Sequence, residues 1–343
     1  MRHLMRRTGF LVAALSAWLS ALTITATANP TLLFDAKSER ILYAQDADRL
    51  WYPASLTKIM TAYVVFDALK RGRIAMDSKL VSSERAQKEP PSKIGLPVGS
   101  EISLELGLRS LIIKSANDVA VMLAESVSGS VETFVSRMNA TAKKLGMTRT
   151  HFVNANGLPV DGQMTTARDL ARLALAINRD FPEHAHYWAT PYMRIGKRRL
   201  RSHNSLLRTF DGADGIKTGF ICDSGFNVVA SATRGGRKLI AVVLGSPSAG
   251  DRNKRAAALL KHGFKTFEWK AFLNTATLAS LPPSTNSNRL VSIRDEVRGW
   301  SCGNRRRARA AARAKRRKVL RAKRRRAAKQ KPATAIPLPT LRN

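Results

Sequence analysis

Three short motifs that lie far apart along the chain constrain its fold most. They are Ser55-Leu56-Thr57-Lys58, Ser115-Ala116-Asn117 and Lys217-Thr218-Gly219. The first opens an apolar run without Gly or Pro, which predicts a buried helix. The second falls between two apolar helical segments, and the third lies on the first of three strand-like runs. If the motifs share one site, the fold must bring a helix, a turn between helices and a strand to the same cleft.

The spacing of Ser55 and Lys58 predicts a nucleophile beside its base. Residues three apart lie on one face of a helix, and a serine hydroxyl reacts only when a base takes its proton. A lysine serves as that base only where burial or nearby positive charge lowers its pKa. Lys217 and Lys114 are candidates for the charge. A helix-capping serine beside a surface lysine is the alternative.

The pattern Ser-x-Asn occurs three times, and its first copy is the candidate for chemistry. Ser115 lies between apolar helical segments, where burying a polar turn costs free energy unless its polar groups find hydrogen-bond partners. A turn kept there despite that cost is a candidate for function. Its hydroxyl is predicted to relay a proton, and Asn117 is predicted to hold Lys58 and the substrate backbone. An ordinary turn between helices is the alternative. The second copy, residues 202–204, is flanked by arginines and reads as a solvated loop, and the third lies in a linker-like segment.

The motif Lys217-Thr218-Gly219 predicts a strand that binds an extended peptide. An edge strand pairs with a peptide backbone, and glycine allows a close approach. Lys217 and Thr218 are predicted to hold a terminal carboxylate. The backbone N–H groups of Ser55 and Phe220 are the natural donors for an oxyanion hole. A strand end with an exposed lysine is the alternative.

Other kinds of site have little support in the sequence. His184 and His186 are close together, but no second ligand cluster accompanies them, so neither a metal nor a cofactor is expected. The other candidate histidines, His151, His203 and His262, are isolated, which argues against a Ser-His-Asp triad. No Gly-rich phosphate loop is present.

The order of elements predicts one α+β domain, with an antiparallel sheet covered by helices. Residues 1–28 read as a signal peptide, because basic residues precede a short apolar run and small residues. The catalytic domain is expected over 29–272, a linker or short extension over 273–303, and a basic, disordered tail over 304–343. Residues 305–331 carry 16 Lys or Arg and no acid, out of a net charge of +35.

Two cysteines, Cys222 and Cys302, allow one bridge. Export makes a disulfide chemically possible, but the sequence does not give the distance between the two Cα atoms. Both a bridge and two free thiols remain open at this point. A bridge would tie the segment after the main domain to the strand that carries Lys217.

The chain resembles the serine-type D-Ala-D-Ala carboxypeptidases, the low-molecular-mass penicillin-binding proteins. The likeness extends beyond the three motifs over roughly residues 29–270 and includes the segments 42–43, 53–63, 152–159, 166–169, 214–219 and 229–234. It implies a transpeptidase/β-lactamase-like fold with the active site between helical and sheet regions. It also implies that Ser55 is acylated, Lys58 is the base, Ser115 the relay, and Lys217 with Thr218 the carboxylate site.

The resemblance implies an exported periplasmic or cell-envelope enzyme that acts on peptidoglycan stem peptides and is acylated by β-lactams. Endopeptidase action on cross-links and a serine β-lactamase are alternatives, and a cationic cell-wall-binding protein is the non-enzyme alternative. Many family members carry a second β-rich domain, and only about 70 residues follow the catalytic domain here. The basic tail is expected to favour an anionic membrane surface or the cell wall, and no nucleic acid is expected.

Overall fold

The structure, a computed structural model, describes residues 29–273, 276–284, 287–297 and 302, the side chains of 268–273 excepted. The expected signal peptide (1–28) and the basic tail (304–343) lie outside the described residues.

Nine strands form three antiparallel sheets in the described part of the chain. The main sheet has five strands in the order β2-β1-β9-β8-β7, so that β7 is an edge strand. The two smaller sheets pair β3 with β4 and β5 with β6. The strands are Thr31–Asp35 (β1), Ile41–Gln45 (β2), Lys79–Val81 (β3), Glu101–Ser103 (β4), Tyr192–Ile195 (β5), Arg198–Arg201 (β6), Ala213–Ile221 (β7), Gly225–Arg234 (β8) and Arg237–Ser246 (β9).

The α-helices lie mostly between β2 and β7, and a long helix follows the last strand. They are Thr57–Lys70 (α1), Glu84–Lys88 (α2), Leu104–Arg109 (α3), Asn117–Ser128 (α4), Val131–Lys144 (α5), Ala167–Asp180 (α6), Ala185–Ala189 (α7), Leu206–Thr209 (α8) and Ala249–Leu273 (α9). Short helical turns of other types cover Ala54–Leu56, Ser110–Lys114 and Pro182–His184.

Local sequence explains several element boundaries. Thr166 caps α6, because its side chain accepts a hydrogen bond from the backbone N–H of Asp169 at 3.1 Å. Gly235 and Gly236 join β8 to β9 with φ angles of 53° and 74°, which suit a tight hairpin turn.

The core lies on both faces of the main sheet, as alternation along the strands requires. Phe34 and Val242 face the helical region, where they join a cluster with Ile59 of α1. Their neighbours Leu33 and Val243 face the opposite side and pack in a second cluster beneath α9. Helices therefore cover the antiparallel sheet on both sides, which confirms the α+β fold predicted from the sequence.

The segment after α9 lies on the body of the domain through polar contacts. Arg168 of α6 and Asp48 form a buried ion pair with N–O distances of 2.6 and 2.7 Å, and Arg168 also donates to the carbonyl of Leu281 at 2.6 Å. The backbone N–H of Ser284 donates to Asp48 at 2.8 Å. The described part of the predicted linker or short extension is thus held by the domain.

A disulfide joins Cys222 at the end of β7 to Cys302, with their Cα atoms 5.4 Å apart. Beside it, Arg294 pairs with Asp223, with an Nη–O distance of 2.6 Å, and the backbone N–H of Ile293 donates to the Asp223 carbonyl at 3.0 Å. Of the two possibilities that the sequence left open for the cysteines, the structure has the bridge.

None of the described helices is by itself long and apolar enough to cross a membrane. The pair α4 and α5 passes the same length and composition test only when taken together, across a bend of 85°.

Candidate active site

Ser55 and Lys58 meet where a short helical turn runs into α1. Ser55 lies in the turn Ala54–Leu56, and Lys58 lies in the first turn of α1 with a fully buried side chain. The Lys58 Nζ atom is 3.1 Å from the Ser55 Oγ atom, as the spacing of the motif predicts.

Lys58 makes two further contacts, both with carbonyl oxygens. Its Nζ donates to Asn117 Oδ1 at 2.7 Å and to the Asn156 carbonyl at 2.5 Å. In its neutral form the amine has two protons for these two carbonyl oxygens and one lone pair that can accept the Ser55 hydroxyl proton. Burial, and secondly the charge of Lys217, hold the pKa of Lys58 well below its ordinary value.

Ser115 is held in an unusual backbone conformation between two helical segments. It ends the turn Ser110–Lys114 with φ 62° and ψ 39°, in the left-handed region that a non-glycine residue rarely adopts. Such strain persists where the surroundings hold it, often at functional sites. The backbone N–H of Asn117 donates to the Ser92 carbonyl at 2.7 Å, and the Asn117 side chain donates to the Pro90 carbonyl at 2.9 Å. This turn is therefore fixed on its C-terminal side.

Lys217 on edge strand β7 joins Ser115 to the site. Its Nζ donates to Ser115 Oγ at 2.9 Å, and its side chain is 2% exposed. Burial, and secondly the charge of Arg252, lower the pKa of Lys217 to about 7. Lys217 is thus the cation beside Lys58. The other candidate, Lys114, lies beside His203 instead.

Gly219 allows β7 to lie directly against the turn that carries Ser55. A Cβ atom at this position would be 3.0 Å from the Pro53 carbonyl oxygen and 3.2 Å from the Ser55 backbone nitrogen. Ser55, Thr218, Gly219 and Phe220 all line one cavity of about 400 Å³. Ser55 and Phe220, whose backbone N–H groups are the predicted oxyanion donors, therefore border the same space.

Arg252 is a cavity residue that the sequence motifs did not reveal. It lies in the first turn of α9, lines the cavity and is 4% exposed. Its guanidinium donates to Asn253 Oδ1 at 2.9 Å. Burial lowers the pKa of Arg252 to about 10, and no carboxylate in the described part of the chain forms an ion pair with it. A buried cation without a counter-ion is suited to an anionic ligand.

The segment 202–204 is also part of the site, although the sequence suggested a solvated loop. Ser202 and Asn204 are buried, and the Asn204 side chain donates to the Gly215 carbonyl of β7 at 2.9 Å. His203, which lies between them, lines the cavity and is exposed. The expectation failed because the exposed arginines belong to strand β6, whereas Ser202 and Asn204 follow that strand and are buried by tertiary contacts such as the one with Gly215.

No group of three or more His, Cys, Asp or Glu side chains within the described ranges has the arrangement of a metal site. His184 stacks on Phe66 instead, with the ring centroids 4.2 Å apart.

Comparison with known proteins agrees with this geometry. Residues 18–248 match the family profile described as D-alanyl-D-alanine carboxypeptidase. The chain belongs to the D-alanyl-D-alanine carboxypeptidase family. The D-alanyl-D-alanine carboxypeptidase DacC of Escherichia coli K12 is 39% identical over 244 residues, which are 69% of this chain and 61% of that relative. The chain thus spans about three fifths of the length of the curated relatives it matches.

Solved structures of the family share the fold. Penicillin binding protein 5 of Haemophilus influenzae superposes with a TM-score of 0.67 and 37% identity, over 70% of this chain and 71% of that chain. Penicillin-Binding Protein D2 of Listeria monocytogenes, solved in a cefotaxime-bound form, gives a TM-score of 0.63 and 33% identity, over 69% and 97% of the two chains.

Proposed function

We propose that this protein is a serine-type D-Ala-D-Ala carboxypeptidase, which removes the terminal D-Ala from peptidoglycan stem peptides through an acyl-enzyme on Ser55. The contact between Lys58 Nζ and Ser55 Oγ, at 3.1 Å, carries this proposal. It joins a nucleophile to a buried amine whose pKa is lowered by burial. Membership of the carboxypeptidase family supports the same activity.

In the acylation step the Ser55 oxygen attacks the carbonyl carbon of the penultimate D-Ala, and its proton passes to neutral Lys58. The negative charge that develops on the carbonyl oxygen is stabilised by the backbone N–H groups of Ser55 and Phe220. When the C–N bond breaks, Lys58 gives up that proton through the Ser115 hydroxyl to the departing D-Ala nitrogen, so that Lys58 is neutral again for deacylation. The hydrogen bond from Lys217 to Ser115 Oγ, at 2.9 Å, orients the hydroxyl for that transfer.

The terminal carboxylate of the substrate is bound by Lys217, Thr218 and Arg252. Lys217 and Arg252 are buried cations, and Thr218 and Arg252 line the same cavity. The peptide runs along the unpaired edge of β7. Asn117 serves indirectly, since its side-chain oxygen fixes Lys58.

Hydrolysis of the acyl-enzyme by water, activated by Lys58, regenerates Ser55. A β-lactam acylates the same serine, and the described residues that line the cavity include no Asp or Glu. A carboxylate that binds water would speed deacylation, so its absence from this lining favours a long-lived penicilloyl-enzyme over a β-lactamase. Endopeptidase action on cross-links uses the same groups and is the second activity to assay.

Labelled penicillin and a pentapeptide ending in D-Ala-D-Ala test the proposal together. We expect persistent labelling and release of D-Ala, and neither with Ser55→Ala. Rapid loss of label with drug hydrolysis would instead indicate a β-lactamase, and neither labelling nor release would indicate a binding protein. Labelling of the Ser55→Ala variant would disprove the assignment of the nucleophile.

We also propose export to the cell envelope, directed by residues 1–28, and attachment of the basic tail (304–343) to an anionic surface, either the membrane or the wall. Sixteen Lys or Arg in residues 305–331 support the second part. A chain ending at Cys302 should bind anionic vesicles or isolated sacculi less well than the full chain at low salt. Equal binding by the two chains would contradict a role for the tail.

A further inference from the structure

The hairpin of β5 and β6 concentrates positive charge beside the cavity. Residues 184–210 include no Asp or Glu. The hairpin carries five exposed cations, which are Arg194, Lys197, Arg198, Arg199 and Arg201. Within the described ranges none of the five forms an ion pair with a carboxylate. This surface is therefore available to an external anion.

The strand register places arginines together on the outward face. Arg194 lies opposite Arg199, and Tyr192 lies opposite Arg201, whereas buried Met193 turns inward. Like charges directly opposite each other destabilise a pair of strands. The fold therefore carries an unfavourable arrangement here, and an anionic ligand would relieve it.

Tyr192 helps to arrange these guanidinium groups. The Arg199 guanidinium carbon lies 4.0 Å from the centroid of the Tyr192 ring, and that of Arg208, from α8, lies 5.6 Å from it. Stacking on an aromatic face leaves the N–H groups at the edge of a guanidinium free to bind a carboxylate in a bidentate manner.

The hairpin belongs to the rim of the cavity. Strand β6 ends at Arg201, and the next two residues are buried Ser202 and the cavity residue His203. The hydrogen bond from Asn204 to the Gly215 carbonyl then attaches this segment to β7. A polymer whose end occupied the cavity would have its following units close to the hairpin.

We propose that the outward face of the β5–β6 hairpin is an exosite for the carboxylates of polymeric peptidoglycan, the same polymer whose stem peptide enters the cavity. This inference rests on the proposed carboxypeptidase function. Because the hairpin and the cavity share a rim, a peptidoglycan strand bound in the cavity holds its other carboxylates close to the hairpin at a high effective concentration. A lipid phosphate has no such first attachment, so wall carboxylates are favoured.

Two double variants of the full chain test the exosite. Arg194→Gln/Arg199→Gln removes the opposed arginine pair, and Lys143→Gln/Lys144→Gln removes two exposed charges from α5 as a matched control. Each is assayed for D-Ala release from diacetyl-lysyl-D-alanyl-D-alanine and from uncross-linked peptidoglycan that carries pentapeptides. Each is also sedimented with that peptidoglycan and with phosphatidylglycerol vesicles.

The arginine variant should have a kcat/KM on the polymer that is about fivefold lower, as expected for the loss of two exposed charge pairs. A smaller fraction of this variant should also sediment with the polymer. Release from the small peptide should be unchanged, and so should both activities of the lysine control. Because the opposed charges are gone, the variant should melt at the same or a higher temperature. Unchanged action on the polymer, an equal loss on the small peptide, or a loss confined to vesicle binding would each overturn the exosite.

The experiment distinguishes failure of the proposed carboxypeptidase activity from failure of the exosite. If the unaltered chain released no D-Ala from either substrate, the proposed function would fail, but sedimentation with peptidoglycan would still compare the two variants. Equal sedimentation of both variants would then refute the exosite on its own.

Discussion

The Nζ atom of Lys217 lies 2.9 Å from the Oγ atom of Ser115, although the two residues are 102 positions apart in the sequence. This hydrogen bond connects the edge strand of the sheet to the strained turn between two helical segments. It makes Lys217 a neighbour of both the proposed proton relay and the proposed carboxylate site, so that its charge state affects both.

The pH profile of the reaction should therefore be bell-shaped. Lys58 must be neutral to accept a proton, and its lowered pKa makes it available as the pH rises. Lys217 must be charged to bind a carboxylate, and its pKa of about 7 means that this charge is lost as the pH rises through that value. We expect kcat/KM for a D-Ala-D-Ala peptide to fall on the alkaline side, while Lys217→Arg moves that fall to higher pH. An identical alkaline fall in the arginine variant would contradict the assignment.

Arg252→Gln should weaken binding of substrates that end in a free carboxylate. Loss of one partner of a buried charge pair costs roughly 2–5 kcal/mol, so KM should rise by about 30-fold or more. The matched control is the same peptide with an amidated C-terminus, for which the variant and the unaltered chain should differ little. Equal losses on both peptides would show that Arg252 acts on the fold rather than on the carboxylate.

Gly219→Ala should slow acylation without unfolding the domain. The added Cβ would press on the Pro53 carbonyl at 3.0 Å and on the Ser55 nitrogen at 3.2 Å, and so would displace the strand or the nucleophile. The rate of labelling by penicillin measures this effect, and we expect a loss of about a hundredfold or more, as for removal of one oxyanion donor. Gly250→Ala is the control, because its nearest contact, Ser248 Oγ, would be 3.6 Å away. Equal labelling rates in both variants would show that the close approach at Gly219 does not matter.

Removal of the disulfide should loosen the cavity wall next to Phe220 and Ile221. Cys222→Ser/Cys302→Ser should lower the free energy of unfolding by about 2–4 kcal/mol, the usual contribution of a bridge. Denaturant unfolding gives the value, and the unaltered chain under reducing conditions should match the double variant. If the variant and the oxidised chain were equally stable, the ion pair of Asp223 with Arg294 would be sufficient to hold this segment.

The sequence predicted the parts of the site that depend on local spacing. Ser55 and Lys58 are three apart on a helical segment, so simple periodicity identified this pair. The order of helices and strands likewise predicted the α+β class, because β7, β8 and β9 are joined by short turns.

The remaining site residues come together only through the tertiary fold. Arg252 begins a helix that follows the last strand, and Asn156 contributes a backbone carbonyl, for which no side-chain pattern exists. His203 looked isolated because its neighbours in the cavity, such as Thr218, belong to other elements. The disulfide likewise required a distance between two Cα atoms that lie 80 residues apart in sequence.

That disulfide also turns the chain from residue 222 to residue 302 into a covalent ring that contains β8, β9 and α9. A single proteolytic cut anywhere inside the ring opens it without releasing a fragment, since both pieces stay attached to the same pair of sulfurs. Such a nicked molecule runs as one band on a non-reducing gel and as two bands after reduction.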